Sequence, residues 1–188
     1  MRLFFAVTLP EEIIARVAEA QQNLRKAIGD EGVRWTRPEQ FHYTLCFLGE
    51  VPGPRIQKAI EIAHSVAKDK SAFDLSVGGL GAFPNANRPS TIWIGVTEGA
   101  EALTTVADEL AAGLKAAHFR WEKRPFHAHL TVARIKGYEG EKSAAMALKN
   151  AEIRGLGSAR IAGVVLMQST LQRSGSEYTV VEEFKLAG

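Results

Sequence analysis

Two stretches of the chain repeat one another. "VRWTRPEQFHYTL" (residues 33–45) and "FRWEKRPFHAHLTV" (residues 119–132) share an Arg-Trp pair, a proline and a His-x-Thr segment. Arg34-Trp35 and Arg120-Trp121 stand 86 positions apart (34 to 120), and Pro38 with Pro125 and His42 with His129 stand 87 apart (38 to 125, 42 to 129). A repeat at one near-constant offset is the mark of a duplicated structural unit. Two such units, each carrying a helix, a proline turn and a His-x-Thr strand, predict two equivalent strands facing each other across a cleft.

The patterning around the repeat alternates strand and helix. Residues 2–9 are apolar and aromatic and stop at Pro10, as a strand does. Residues 10–28 place Ile13, Ile14, Val17, Ala18 and Leu24 at helical spacing, with Pro10, Glu11 and Glu12 suited to a helix start. Residues 41–48 read as a strand and 55–70 as a helix with Ile56, Ile60, Ala63 and Ala67 inward. Strands over 73–82 and 91–96 flank the turn-rich "PNANRPS", and a helix follows over 100–117. A strand over 127–133 leads to a short helix near 142–149. "ARIAGVVLMQSTLQ" and "EYTVVEEFKL", joined by "RSGS", read as a hairpin. The glycine-rich turn of a dinucleotide-binding unit is missing, so an α+β architecture with mainly antiparallel sheets is expected, as one two-lobed domain over residues 1–188.

Bulk composition narrows the class. Of 188 residues, 46% are hydrophobic and 23% charged, a balance that supports a globular core. A formal net charge of +2 permits a nucleic-acid partner without arguing for one. Cys46 is the single cysteine, which excludes an internal disulfide and suits a reducing compartment. No apolar run has the length of a membrane span, and the opening "MRLFFAVTLP" lacks a small-residue cleavage site. A cytoplasmic protein with no membrane partner is expected.

The chemistry rests on the repeated segment. Side chains alternate along a strand, so His42 shares a face with Thr44, and His127 and His129 share one with Thr131. Tyr43, Leu45 and Phe47 then take the other face of the first strand, and Ala128, Leu130 and Val132 that of the second, both apolar enough for core. Two imidazoles across a cleft form an acid–base pair, because a ring with an ordinary pKa of about 6.5 exists in both protonation states near neutrality. The two threonine hydroxyls could donate to non-bridging phosphate oxygens, and Arg134 could add positive charge if it reaches the cleft. Phosphoryl transfer gains mainly from such placement.

"HYTL" followed by "FLGE", and "HLTVAR", resemble the paired motifs of the two-histidine phosphoesterases. Within them the chain is most similar to the RNA 2′,3′-cyclic phosphodiesterases, also called 2′-5′ RNA ligases. The likeness extends to "MRLFFAVTLP", "GAFPNANRPSTIWIGV" and "STLQRSGSEYTVVEEFKL" and covers nearly the whole chain. It implies two pseudo-symmetric lobes, each a mainly antiparallel sheet with helices on its outer face, around a central cleft. It implies a reaction with no metal and no cofactor, on RNA carrying 2′,3′-cyclic phosphate ends, by a monomer. His129 would take a proton from the attacking water and His42 would protonate the leaving 3′-oxygen, giving a 2′-phosphate end. The reverse reaction would be 2′-5′ ligation. Ala128 stands where the family often has proline, and Val132 where it has leucine. Both lie on the expected core face, where neither change should alter the chemistry. His127 occupies a place where a polar or basic residue is common and is a candidate phosphate or RNA contact, as is Arg134.

Rival readings stay open at this point. The substrate could be a small cyclic nucleotide phosphate, or the protein could bind RNA ends without turnover. His42, His127 and His129 could hold zinc, although no third-ligand cluster of Cys, Asp or Glu lies nearby in sequence. His64 and His118 fall on expected helices and read as surface residues, and Arg34 and Arg120 read as surface charges. Trp35 and Trp121 are expected to cap the core, with base stacking as the alternative, and the same choice holds for Phe83, Arg88 and Trp93. Cys46, in register with His42 and Thr44, is expected at the cleft floor without a nucleophilic role.

Overall fold

The computed structural model describes residues 1–119, 125–173 and 175–188. Arg120 and Trp121 of the second repeat lie outside them, as does Ser174 of the hairpin turn. The strands are β1 (Arg2–Val7), β2 (Val33–Trp35), β3 (Tyr43–Glu50), β4 (Phe73–Phe83), β5 (Thr91–Glu98), β6 (Leu130–Ile135), β7 (Gly157–Ile161), β8 (Gly163–Gln172) and β9 (Gly175–Lys185). The helices are α1 (Glu11–Ile28), α2 (Gly53–Lys68), α3 (Ala100–Ala116) and α4 (Tyr138–Leu148).

The strands form two sheets, ordered β3-β1-β8-β9 and β2-β6-β5-β4-β7, and every ladder is antiparallel. The orders match if β3, β1, β8 and β9 are laid on β6, β5, β4 and β7, so the duplication read in the sequence is present in the sheets. The lobes are not the two halves of the chain, however. β4, from the first half, pairs with β5 and β7 of the second, and β8 returns from the second half to pair with β1. Helices exchange as well. α1 follows β1 but packs on β7 and α4, while α3 follows β5 but packs on β3 and α2.

Local sequence explains most elements. α1 buries Ile13, Val17, Gln21, Leu24 and Ile28, a single stripe at three- and four-residue spacing. Its acidic first turn (Glu11, Glu12) and basic last turn (Arg25, Lys26) oppose the helix dipole, and Gly29 at φ 87° ends it. α2 buries the small stripe Ala59, Ala63 and Ala67, with Ile56 and Ile60 half-buried at its flank. One cluster of buried side chains draws on both sheets and includes Phe5, Tyr43, Ile92 and Leu130. The Tyr43 hydroxyl donates to the Gly95 carbonyl at 2.8 Å, a buried bond between the sheets. A smaller cluster of Phe4, Ala6, Val165 and Met167 lies on the other face of the first sheet.

Several boundaries differ from the sequence reading, among them the strands expected over 41–48 and 127–133, which begin only at Tyr43 and Leu130. The expected strand beginning at Ala159 is two strands, because the chain leaves one sheet and enters the other at Ala162. The short strand β2 was not expected, and it exists because it covers the edge of β6. α4 begins at Tyr138, four residues before the expected start. Among the described residues, no helix is long and apolar enough to cross a membrane.

Candidate active site

His42, Thr44, His129 and Thr131 line one hollow of about 140 Å³ between the sheets. Both histidines stand just outside regular strand: His42 precedes β3 by one residue and His129 precedes β6 by one. That position frees their rings from the ladder and lets each bond locally. His42 Nδ1 donates to the Gln40 carbonyl at 2.7 Å, and His129 Nδ1 donates to the His127 carbonyl at 2.7 Å. A carbonyl only accepts, so Nδ1 carries the proton in both rings and Nε2 is the exchanging atom. His42 Nε2 meets Thr44 Oγ1 at 2.9 Å, so in the neutral ring the hydroxyl donates to it. The rings lean on aromatic neighbours of their own sheets, His42 on Phe4 at 5.1 Å between centroids and His129 on Phe83 at 4.9 Å.

A matched irregularity in the two strands decides what else enters the hollow. In β3, Ala6 pairs with Thr44 and Phe5 with Cys46, so Leu45 is an extra residue. In β6, Ile92 pairs with Ala133 and Trp93 with Thr131, so Val132 is extra. Each is a β-bulge at the residue after the threonine. Strict alternation puts residues three apart on opposite faces, and the extra residue restores them to the same face. Phe47 therefore joins Thr44 on the cleft side, and Arg134 joins Thr131. This corrects two expectations. Phe47 does not lie on the core face with Tyr43 and Leu45 but is 47% exposed at the hollow. Cys46 is out of register with Thr44 and packs in the main core at 8% exposure, although it still lines the wider part of the cleft with Thr44, Phe47 and His129, as expected of the cleft floor; burial pushes its thiol up to about 11.

The second bulge is fastened by a side chain from α1, and among the described residues the first has no such bond. Gln21 of α1, 2% exposed, sends its side-chain nitrogen to the Val132 carbonyl at 2.8 Å and the Thr36 carbonyl at 2.7 Å. The Thr36 amide bonds the same Val132 carbonyl at 3.0 Å. Gln21 was not a candidate in the sequence; a glutamine on the apolar stripe of a helix was its only signal.

Arg34, read above as a surface charge, also lines the hollow, as do Trp35 and Tyr178. Trp35 packs on the core, as expected, and also faces the cleft, its indole donating to the Gly29 carbonyl at 3.2 Å. A larger hollow of about 700 Å³ shares Thr44, His129, Thr131 and Arg134 and runs past His127 and Phe83 toward α3. His127 is exposed there, its ring edge-on to Trp93 at 4.9 Å. The Trp93 ring in turn lies over Gly81, where a Cβ would collide with it. Arg88 lies apart from both hollows and pairs with Glu141 at 3.6 Å. His64 is on the surface of α2 against Phe184, and His118 follows α3 rather than lying on it.

Burial depresses both histidines. His42 is lowered to about 4, chiefly by desolvation, against the raising effect of the Gln40 carbonyl and with help from nearby His129 and Arg134. His129 is lowered for the same first reason, against the raising effect of the His127 carbonyl, with the charges of the His127 ring and Arg134 adding to the depression. The hollow therefore holds two neutral bases at neutral pH and disfavours added positive charge until an anion enters. Among the described residues, no three His, Cys, Asp or Glu side chains come together as a metal-binding group.

The profile of the family described as "LigT like Phosphoesterase" matches residues 7–93 and, a second time, residues 94–178. The chain belongs to this family. The double match falls on the same duplication that the sheets display. A protein of Aeropyrum pernix named RNA 2′,3′-cyclic phosphodiesterase is 37% identical over 167 residues, which is 87% of this chain and 93% of that protein. A protein of the same name from Archaeoglobus fulgidus is 35% identical over 98% of this chain and 100% of its own length. Among solved structures, TT0787 of Thermus thermophilus superposes with a TM-score of 0.82 at 32% identity, covering 99% of this chain and 98% of that one. Escherichia coli LigT complexed with 3′-AMP shares the fold at a TM-score of 0.80 and 24% identity, covering 100% of this chain and 98% of that one.

Proposed function

We propose that this chain hydrolyses 2′,3′-cyclic phosphate ends of RNA to 2′-phosphate ends by metal-independent acid–base catalysis. The observation that carries the reading is the paired anchoring of His42 and His129, each with Nδ1 tied to a carbonyl two residues back and Nε2 left as the exchanging atom at one hollow. Relatives named for the same activity, at 35–37% identity, support it.

In this mechanism neutral His129 takes a proton from water through Nε2 as the water oxygen bonds to phosphorus. The bond from phosphorus to the 3′-oxygen breaks, and His42, protonated at Nε2, gives its proton to that oxygen. The phosphate stays on the 2′-oxygen. Thr44 and Thr131 donate to the non-bridging oxygens, and Arg134 offsets the charge that builds there. His127 contributes a contact to the phosphate or the RNA at the rim. The bound phosphodiester anion raises both imidazole pKa values from their depressed free values, which lets His42 hold the proton it must deliver. If the 5′-hydroxyl of a second RNA replaces water, the same proton transfers make a 2′-5′ junction, the reverse of its cleavage.

The test is a short RNA ending in a 2′,3′-cyclic phosphate, with the phosphate position of the product determined. Wild type should give the 2′-phosphate end, with a rate unaffected by chelators. His42→Ala and His129→Ala should each cut turnover by about a hundredfold or more. Near-normal turnover in both variants would refute the reading.

A further inference from the structure

Arg34 of β2 and Arg134 of β6 are direct cross-strand partners. Residues so paired point to the same face, and both arginines line the smaller hollow. Like charges placed opposite one another destabilise a ladder unless something between them is negative. Among the described residues, no carboxylate lines this hollow, while two arginines and two histidines do. The cyclic phosphate carries one negative charge, and Arg134 with the two threonines already provides for it under the reading above. Arg34 is a surplus cation, set one strand farther from the reacting centre.

Its position is also built. The Arg34 guanidinium rests against Gly175 at the tip of the β8–β9 hairpin, where any Cβ would collide with it, and Gly175 sits at φ +129°. The neighbouring Ser176 carbonyl accepts from Gln40 and from Arg37, which fastens the hairpin tip to the segment that follows β2. Arg34 is exposed, and these contacts set its guanidinium at the rim of the hollow.

We propose that Arg34 binds the backbone phosphate on the 5′ side of the terminal nucleotide, and thereby selects RNA chains over mononucleotide cyclic phosphates. The inference rests on the proposed reaction and adds the substrate class that the site prefers. A second phosphate is the negative group that an RNA chain brings and a mononucleotide lacks. Neighbouring strands are ~4.8 Å apart, so two long arginine side chains on adjacent strands can hold two anions separated by a ribose. Guanidinium is suited to this, since its planar fork binds phosphate through two bonds.

The experiment compares kcat/KM for a trinucleotide and a mononucleotide, both ending in 2′,3′-cyclic phosphate, in wild type, Arg34→Ala and Arg34→Lys. The ratio of trinucleotide to mononucleotide should fall about tenfold in Arg34→Ala, the scale of one charge-assisted bond. The salt dependence of trinucleotide binding should lose about 0.7 in log–log slope, one phosphate contact to a single strand, and Arg34→Lys should restore it. An unchanged ratio overturns the inference: equal losses would place Arg34 on the reacting phosphate, and no loss would make it a solvated charge. If wild type turns over neither substrate, the reading of the cleft itself fails, and that outcome is distinct from an unchanged ratio.

Discussion

The two His-x-Thr segments use the same backbone device and finish on different chemistry. Both anchor Nδ1 on a carbonyl two residues back, both bulge at the residue after threonine, and both bring the third residue beyond threonine into the cleft. In the first segment that residue is Phe47, and in the second it is Arg134. β3 is a sheet edge, whereas β6 is covered by β2 and its bulge is held by Gln21. Duplication thus supplied the symmetric pair of imidazoles. Divergence at one position, together with a helper from α1, made one wall of the cleft aromatic and the other cationic.

The histidines offer the largest test of that comparison. Both free rings titrate below 6.5, so the bell-shaped pH dependence of kcat/KM should centre below pH 6.5. The kcat profile should sit higher, because the bound anion favours the protonated rings. His42→Ala, lacking the acid, should keep only the limb on which rate rises with pH. His129→Ala, lacking the base, should keep only the limb on which rate falls. Two variants with the same surviving limb would break the assignment of roles.

Arg134→Ala should lower kcat/KM by about ten- to a hundredfold on any cyclic phosphate, the loss of a charge-assisted contact. Arg134→Phe, which copies the first segment's residue into the second, should lose as much. A Phe variant that retained wild-type turnover would show that the cationic wall is dispensable.

Gln21→Leu leaves the Val132 and Thr36 carbonyls without their side-chain donor and should cost about 1–3 kcal/mol of stability in denaturant titration. Its kcat should fall several-fold less than that of Arg134→Ala, since Arg134 remains but is held less firmly, and the positions of the pH limbs should not move. A shift in those limbs would mean that Gln21 acts on the histidines rather than on the bulge.

The last effect is on the pH dependence of folding. His42 titrates near 4 in the folded chain and near 6.5 when unfolded, so between those values the unfolded chain binds the additional proton. Stability should be complete above pH 6.5 and decline as pH falls toward 4. His42→Gln should flatten that decline, and an unaltered slope would mean that the buried ring is not its source.

Much of this was legible in the chain. The alternation of helix and strand, the hairpin and the duplicated histidine motif all follow from local periodicity and turn chemistry, which act over a few residues. Register was not legible beyond Thr44 and Thr131. A bulge exists only when a partner strand counts two residues against one, so the places of Cys46, Phe47 and Arg134 depend on β1 and β5. The break at Ala162 is not legible for a similar reason: an apolar run does not say which sheet it joins.

By itself, the sequence determined the chemical inventory: two imidazoles, two hydroxyls and the strand pattern that presents them on one face. The tertiary structure decided which further side chains meet them. Arg34, Gln21 and Tyr178 come to the site from segments far apart in the chain, brought there by strand exchange between the lobes and by the antiparallel ladders. Local propensity acts over a turn or a strand, whereas a cleft between two sheets is set by packing that no single segment contains.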